Sequence, residues 1–94
     1  MISAVSPSTR AGKRYTAIWD GKAIDFGSRG ATTFIDGATE KTRENYWKRH
    51  RGSPREKTRL ANLTPSASVL SAYLLWGDSR DLQTNLRALN AKLR

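Results

Sequence analysis

Chemistry has few residues to work with in this chain. Among 94 residues there is one histidine and no cysteine. A nucleophile–histidine–acid relay needs a histidine held by a carboxylate, whereas His50 stands between Arg49 and Arg51 with Lys48 close by. That setting suits a capping or packing role better than a general base. A lone histidine with scattered acids also lacks the ligand spacing of a metal site. The glycines of Gly27-Ser28-Arg29-Gly30 invite comparison with a phosphate cradle. Neither the lysine–hydroxyl ending of a phosphate loop nor the spaced glycines of a dinucleotide fingerprint accompany them, so they read as a turn. Asp20, Asp25 and Asp36 fall at turn and strand positions that already account for them. The expectation is a non-enzyme with no cofactor, no metal and no small-molecule substrate.

The charged residues carry more weight. Lys and Arg number 17 against 8 Asp and Glu, a formal charge of +9. Small domains usually carry ~2 to 8 charges of one sign in excess. Self-repulsion of this size is relieved by an anionic neighbour, either a polyanion or an acidic protein face. The excess concentrates in one segment, where Lys41, Arg43, Lys48, Arg49, Arg51, Arg55, Lys57 and Arg59 stand against Glu44 and Glu56. Such density neutralises phosphates and releases their counterions, giving salt-sensitive, sequence-blind binding. Tyr46 and Trp47 lie within the segment, but aromatics on a short amphipathic helix belong more often to the core than to a base-stacking platform. No helix-turn-helix, zinc-finger or RNA-recognition signature accompanies the charge.

The elements that must position these residues follow from local signals. The length allows one domain. Met1–Gly12 is polar, contains Pro7 and has no acid, and reads as a flexible tail before a single small basic domain at 13–94. A core of that size supplies only ~3 to 5 kcal/mol, and packing against a partner would add to it. Tyr15–Trp19, Asp20-Gly21 and Lys22–Phe26 specify a β-hairpin, because Asp-Gly supplies the positive φ angles of a tight two-residue turn. Thr32–Ile35 is too short for periodicity to separate a third strand from a helical turn.

From Thr39 to about Arg51 the spacing predicts a helix, capped by Thr39 or Asp36 and ended by Gly52. Its early Glu40 and Glu44 and late Lys48, Arg49, His50 and Arg51 complement the helix dipole. Residues 52–63, with Ser53-Pro54 and a charged string, read as an exposed loop. Thr64-Pro65 opens a second helix that carries Val69, Leu70, Tyr73, Leu74 and Trp76 and closes at Gly77. A last helix, starting at Asp78 or Ser79, aligns Leu82, Leu86, Leu89 and Leu93 in an apolar seam. The predicted class is α+β: an N-terminal β-hairpin, with room for a third short strand, packed against about three α-helices. No apolar run approaches the ~18 to 20 residues of a membrane span.

Taken in order, Lys13-Arg14-Tyr15, Trp19-Asp20-Gly21-Lys22, Asp25-Phe26-Gly27, Arg43-Glu44-Asn45-Tyr46, Arg49-His50, Thr64-Pro65, Leu70-Ser71 and Leu75-Trp76-Gly77 form a string. It resembles a family of short basic proteins encoded by nucleocytoplasmic large DNA viruses. The likeness runs from about Lys13 to Leu89. It departs at Gly37-Ala38, where a histidine and an acid are expected, and after His50, where a tryptophan is missing. The resemblance implies a late, virion-associated role, most simply a minor capsid protein that cements larger capsid proteins or other virion proteins. Trp19, Trp47, Tyr73 and Trp76 with the seam Leu82, Leu86, Leu89 and Leu93 are then the packing or partner-interface residues, and the Lys41–Arg59 cations meet anionic partners. The same charge admits two alternatives, a sequence-independent DNA-binding protein packaged with the genome and a small subunit of a ribonucleoprotein.

Overall fold

The Asp20-Gly21 turn organises the sheet. In the computed structural model, which describes residues 1–94, both turn residues have positive φ, 49° and 82°. They join β2 (Lys13–Trp19) to β3 (Lys22–Ser28) in the tight hairpin that Asp-Gly favours. Tyr15 lies opposite Phe26 and Ala17 opposite Ile24, so alternate residues Ala17, Trp19 and Phe26 are buried on one face. On the other face the hydroxyls of Thr16 and Ser8 donate to Asp25 and hold its carboxyl below the ordinary range.

Met1–Gly12 reads in sequence as a tail, and here the structure differs. β1 (Ile2–Pro7) pairs antiparallel with β2 to give the sheet order β1-β2-β3. The third strand therefore comes from the N-terminus. Thr32–Ile35 instead leads into a 3-10 turn at Phe34–Asp36. A register shift between Ile2 and Ala4 breaks the alternation that would have marked β1 as a strand. Pro7 is tolerated because it lies at the end of an edge strand. What holds β1 is remote in sequence: Ile2 N donates to Asn90 Oδ1 at 2.8 Å and Asn90 Nδ2 donates to Ile2 O at 2.9 Å. The terminal ammonium also reaches Asp20 at 2.5 Å.

Four helices cover the inner face of the sheet. α1 (Glu40–Gly52) starts where Thr39 Oγ1 accepts from Thr42 N. The segment expected to be a loop is α2 (Pro54–Asn62), with proline at its first turn and Leu63 closing it in the left-handed region. Its sequence offers one fully buried apolar anchor, Leu60, so periodicity is nearly silent. The run Arg55, Glu56, Lys57, Arg59 is nonetheless built of good helix formers. α3 (Ala67–Leu70) begins at a Ser66 cap and continues through a π-helical turn at Ser71–Leu75. α4 (Leu82–Lys92) begins at an Asp81 cap, later than Asp78 or Ser79.

The core forms where α3 and its π turn lie on the sheet. Val69, Leu70, Leu74 and Leu75 meet Ala17 and Phe26, while α1 adds Tyr46 and Trp47 and α4 adds Leu89. The leucine seam belongs to this core: Leu89 is 1% exposed, and Leu82, Leu86 and Leu93 are partly buried against it. Met1 is the large apolar side chain left exposed. Gly77 marks the tightest crossing, since a Cβ there would stand 2.3 Å from Tyr73 O and 2.8 Å from Asn85 Cγ.

Candidate functional site

On α1 the inward positions Arg43, Tyr46, Trp47 and His50 recur at helical spacing, and the other cations of the helix face solvent. Two of the eight segment cations are engaged inside the fold. Arg43 Nε donates to Gly77 O at 2.8 Å and Trp76 O at 3.1 Å, and Nη2 pairs with Asp78 Oδ1 at 2.6 Å. It caps the end of the α3 segment rather than waiting for a ligand. Arg59 lies 3.5 Å from Glu56 Oε1, one helical turn back. Lys41, Lys48, Arg49, Arg51, Arg55 and Lys57 are exposed, and the ion pairs of the molecule pass them by.

The expected packing residues divide differently. Trp19, Trp47 and Trp76 are buried and Tyr73 is half-buried; all four pack within or against the molecule's own core. Trp47 Nε1 donates to Trp76 O at 2.8 Å, and Tyr46 stacks on Trp76 with centroids 4.6 Å apart. Burial pushes the Tyr46 hydroxyl up to about 12.

His50 has a carboxylate neighbour that the linear sequence hid. The turn from α1 into α2 brings Glu56 Oε2 to 3.8 Å from His50 Nδ1, and that oxygen is buried without a hydrogen-bond partner. Ser68 Oγ donates to the other oxygen at 3.3 Å. The order is hydroxyl, carboxylate, imidazole, whereas a nucleophile relay places the imidazole in the middle.

Between α1 and α4 runs an open groove of about 750 Å³. Its floor includes Trp47, Tyr73 and Leu89; Lys48 and Arg51 stand on the α1 wall and Lys92 on the α4 wall. The Arg51 guanidinium lies 4.9 Å from the Trp47 ring centroid. Sequence reasoning missed Lys92 and the polar residues that shape this region. Asn85 is buried and donates to Leu74 O at 3.0 Å and Ser79 O at 2.7 Å while accepting from Ser79 N. Asparagine amid a leucine seam was the available signal. Arg80, clamped on Phe34 O and Ala38 O at 3.0 and 2.9 Å, gave none.

A family model described as a family of unknown function (DUF5754) matches residues 4–50. That stretch holds most of the sheet and α1 as far as His50. The Uncharacterized protein L851 of Acanthamoeba polyphaga mimivirus is 40% identical over 78 residues, covering 77% of this chain and 78% of the relative. The chain belongs to the DUF5754 family. Its mimivirus relative is a protein of a nucleocytoplasmic large DNA virus, so the viral kinship implied by the sequence resemblance holds. No solved structure matches. Within this DUF5754 protein the family match takes in Lys41, Arg43, Lys48 and Arg49, and the α2 cations lie beyond it. No helix is long and apolar enough to cross a membrane.

Proposed function

We propose that this DUF5754 protein is a non-catalytic component of the virus particle that binds nucleic acid without sequence readout, through the outward cations of α1 and α2. The observation that carries this reading is the set of six exposed side chains, Lys41, Lys48, Arg49, Arg51, Arg55 and Lys57, with no acidic partner in the molecule. Phosphates neutralised by such side chains release condensed counterions, which drives association whatever the base sequence. The absence of catalysis is part of the proposal and rests on the arrangement of Ser68, Glu56 and His50, in which the imidazole contacts the carboxylate and not the hydroxyl.

Duplex DNA binding measured across salt concentrations tests it. If all six cations reach phosphates, log affinity falls against log salt with a slope of up to about −5, at ~0.9 per phosphate. A slope near zero, or no binding at about 150 mM salt, overturns the reading.

A second reading, a minor capsid protein cementing larger capsid proteins, keeps the viral kinship in its favour. The apolar seam that would have served as its contact is packed against the protein's own core, so that role would work through charge, against an acidic capsid face. Purified particles split into shell and core fractions separate the two readings: the protein follows the genome in the first and the shell in the second.

A further inference from the structure

We propose that the groove between α1 and α4 docks an acidic peptide segment of a second protein, seating an apolar side chain on the floor and carboxylates on the rim. This goes beyond nucleic-acid binding and uses a different face from Arg55 and Lys57.

The groove has the dimensions of a peptide site. Its α1 wall runs from Arg43 to Gly52, about 13 Å at ~1.5 Å per residue. An extended chain advances ~3.3 Å per residue, so about four peptide residues lie along it. Its charge is uneven. At one end Arg43 is tied to Asp78. Beyond it Lys48, Arg51 and Gly52 of α1 and Lys92 of α4 line the same groove, and none of these cations has an acidic partner. Arg51 is already parked over the Trp47 ring, which lowers the ordering cost of presenting its planar fork to a carboxylate. The floor of Trp47, Tyr73, Ala88 and Leu89 gains from an apolar side chain that displaces water.

Nucleic acid suits this groove poorly. Base stacking needs a free ring face. Trp47 is capped by Arg51 and meets Tyr73 edge-on, with centroids 5.3 Å apart at 78°. The Tyr73 hydroxyl is tethered to Leu60 O. A phosphodiester backbone brings nothing apolar to the floor.

The test uses the full chain and a labelled peptide of about ten residues alternating Glu and Leu, with a Glu/Ser peptide of equal charge as control. Ala88 is exposed on the groove side of α4, so Ala88→Trp fills the groove and leaves every cation in place. Lys92→Glu, in the exposed last turn, reverses a rim charge with little risk to folding. Both variants are expected to weaken the Glu/Leu peptide about tenfold and to leave duplex DNA affinity within about twofold. Arg55→Glu with Lys57→Glu is expected to do the opposite, so unchanged DNA affinity in that variant, with peptide binding intact, counts against the proposed function alone. Equal binding of the Glu/Ser peptide overturns the docking site, as does wild-type peptide affinity in folded Ala88→Trp or in Lys92→Glu. So does an oligonucleotide whose binding Ala88→Trp abolishes, because the groove would then take nucleic acid.

Discussion

At the scale of single residues, polar side chains do much of the positioning. Arg14 grips Asp36 with two hydrogen bonds of 2.5 and 2.6 Å, and Asp36 also accepts from Thr33 N and Oγ1. The guanidinium, helped by the Thr33 donors, holds the Asp36 carboxyl far below the usual carboxylate range. Unfolded, the same group titrates near ~3.9. The stabilisation is therefore complete above about pH 4 and fades as pH falls toward the depressed native value. Asp36→Asn should cost about 1 kcal/mol at neutral pH, a figure limited by the partial exposure of the pair, and should flatten the acid limb of stability against pH. Urea melts between about pH 2 and 7 measure both effects. Gly77 is a steric case. With Tyr73 O 2.3 Å and Asn85 Cγ 2.8 Å from the site of a Cβ, Gly77→Ala strains the turn that follows Tyr73 and presses on Asn85 of α4, and should destabilise by about 1 to 3 kcal/mol in the same assay.

At the scale of elements, the N-terminal strand decides whether the sheet has two strands or three. Beyond its ladder with β2, β1 is held by two hydrogen bonds between the Asn90 side chain and the main chain of Ile2, and by the Ile2 side chain, which is 4% exposed. Asn90→Ala strands the amide and carbonyl of Ile2 and should cost about 1 to 3 kcal/mol. It should also speed hydrogen exchange at β1 amides ahead of those of β3. If Met1–Pro7 were a tail, neither change would occur. The loop expected at 52–63 fails for a related reason. A helix with one fully buried leucine gives no periodic signal, yet Tyr73 Oη donating to Leu60 O at 3.2 Å and the Ser53-Pro54 start are enough to seat it.

At the scale of the whole molecule, a formal charge of +9 sits on a fold whose acids are largely spent on internal pairs. Like-charge repulsion among the free cations opposes compaction, and any polyanion that binds only the native state stabilises it by mass action. Duplex DNA should therefore raise the melting temperature at about 50 mM salt, and the increment should vanish by about 500 mM as screening removes it. A thermal shift that persists at high salt would point to apolar association instead.

Local chemistry was enough to write down the Asp-Gly hairpin, the Thr39-capped helix, the leucine-bearing last helix and the cationic density between Lys41 and Arg59. Each depends on neighbours within a few residues: turn dihedrals, caps, 3.6-residue periodicity and charge count. Tertiary structure alone decided that Ile2–Pro7 completes the sheet, that Arg43 and Arg59 find acidic partners while six other cations do not, and that Lys92 joins Arg51 in lining one groove. Those outcomes depend on partners far apart in the chain, such as Asn90 for Ile2 and Gly77 for Arg43. A hydrogen bond closed by packing leaves no periodic trace in the residues that make it.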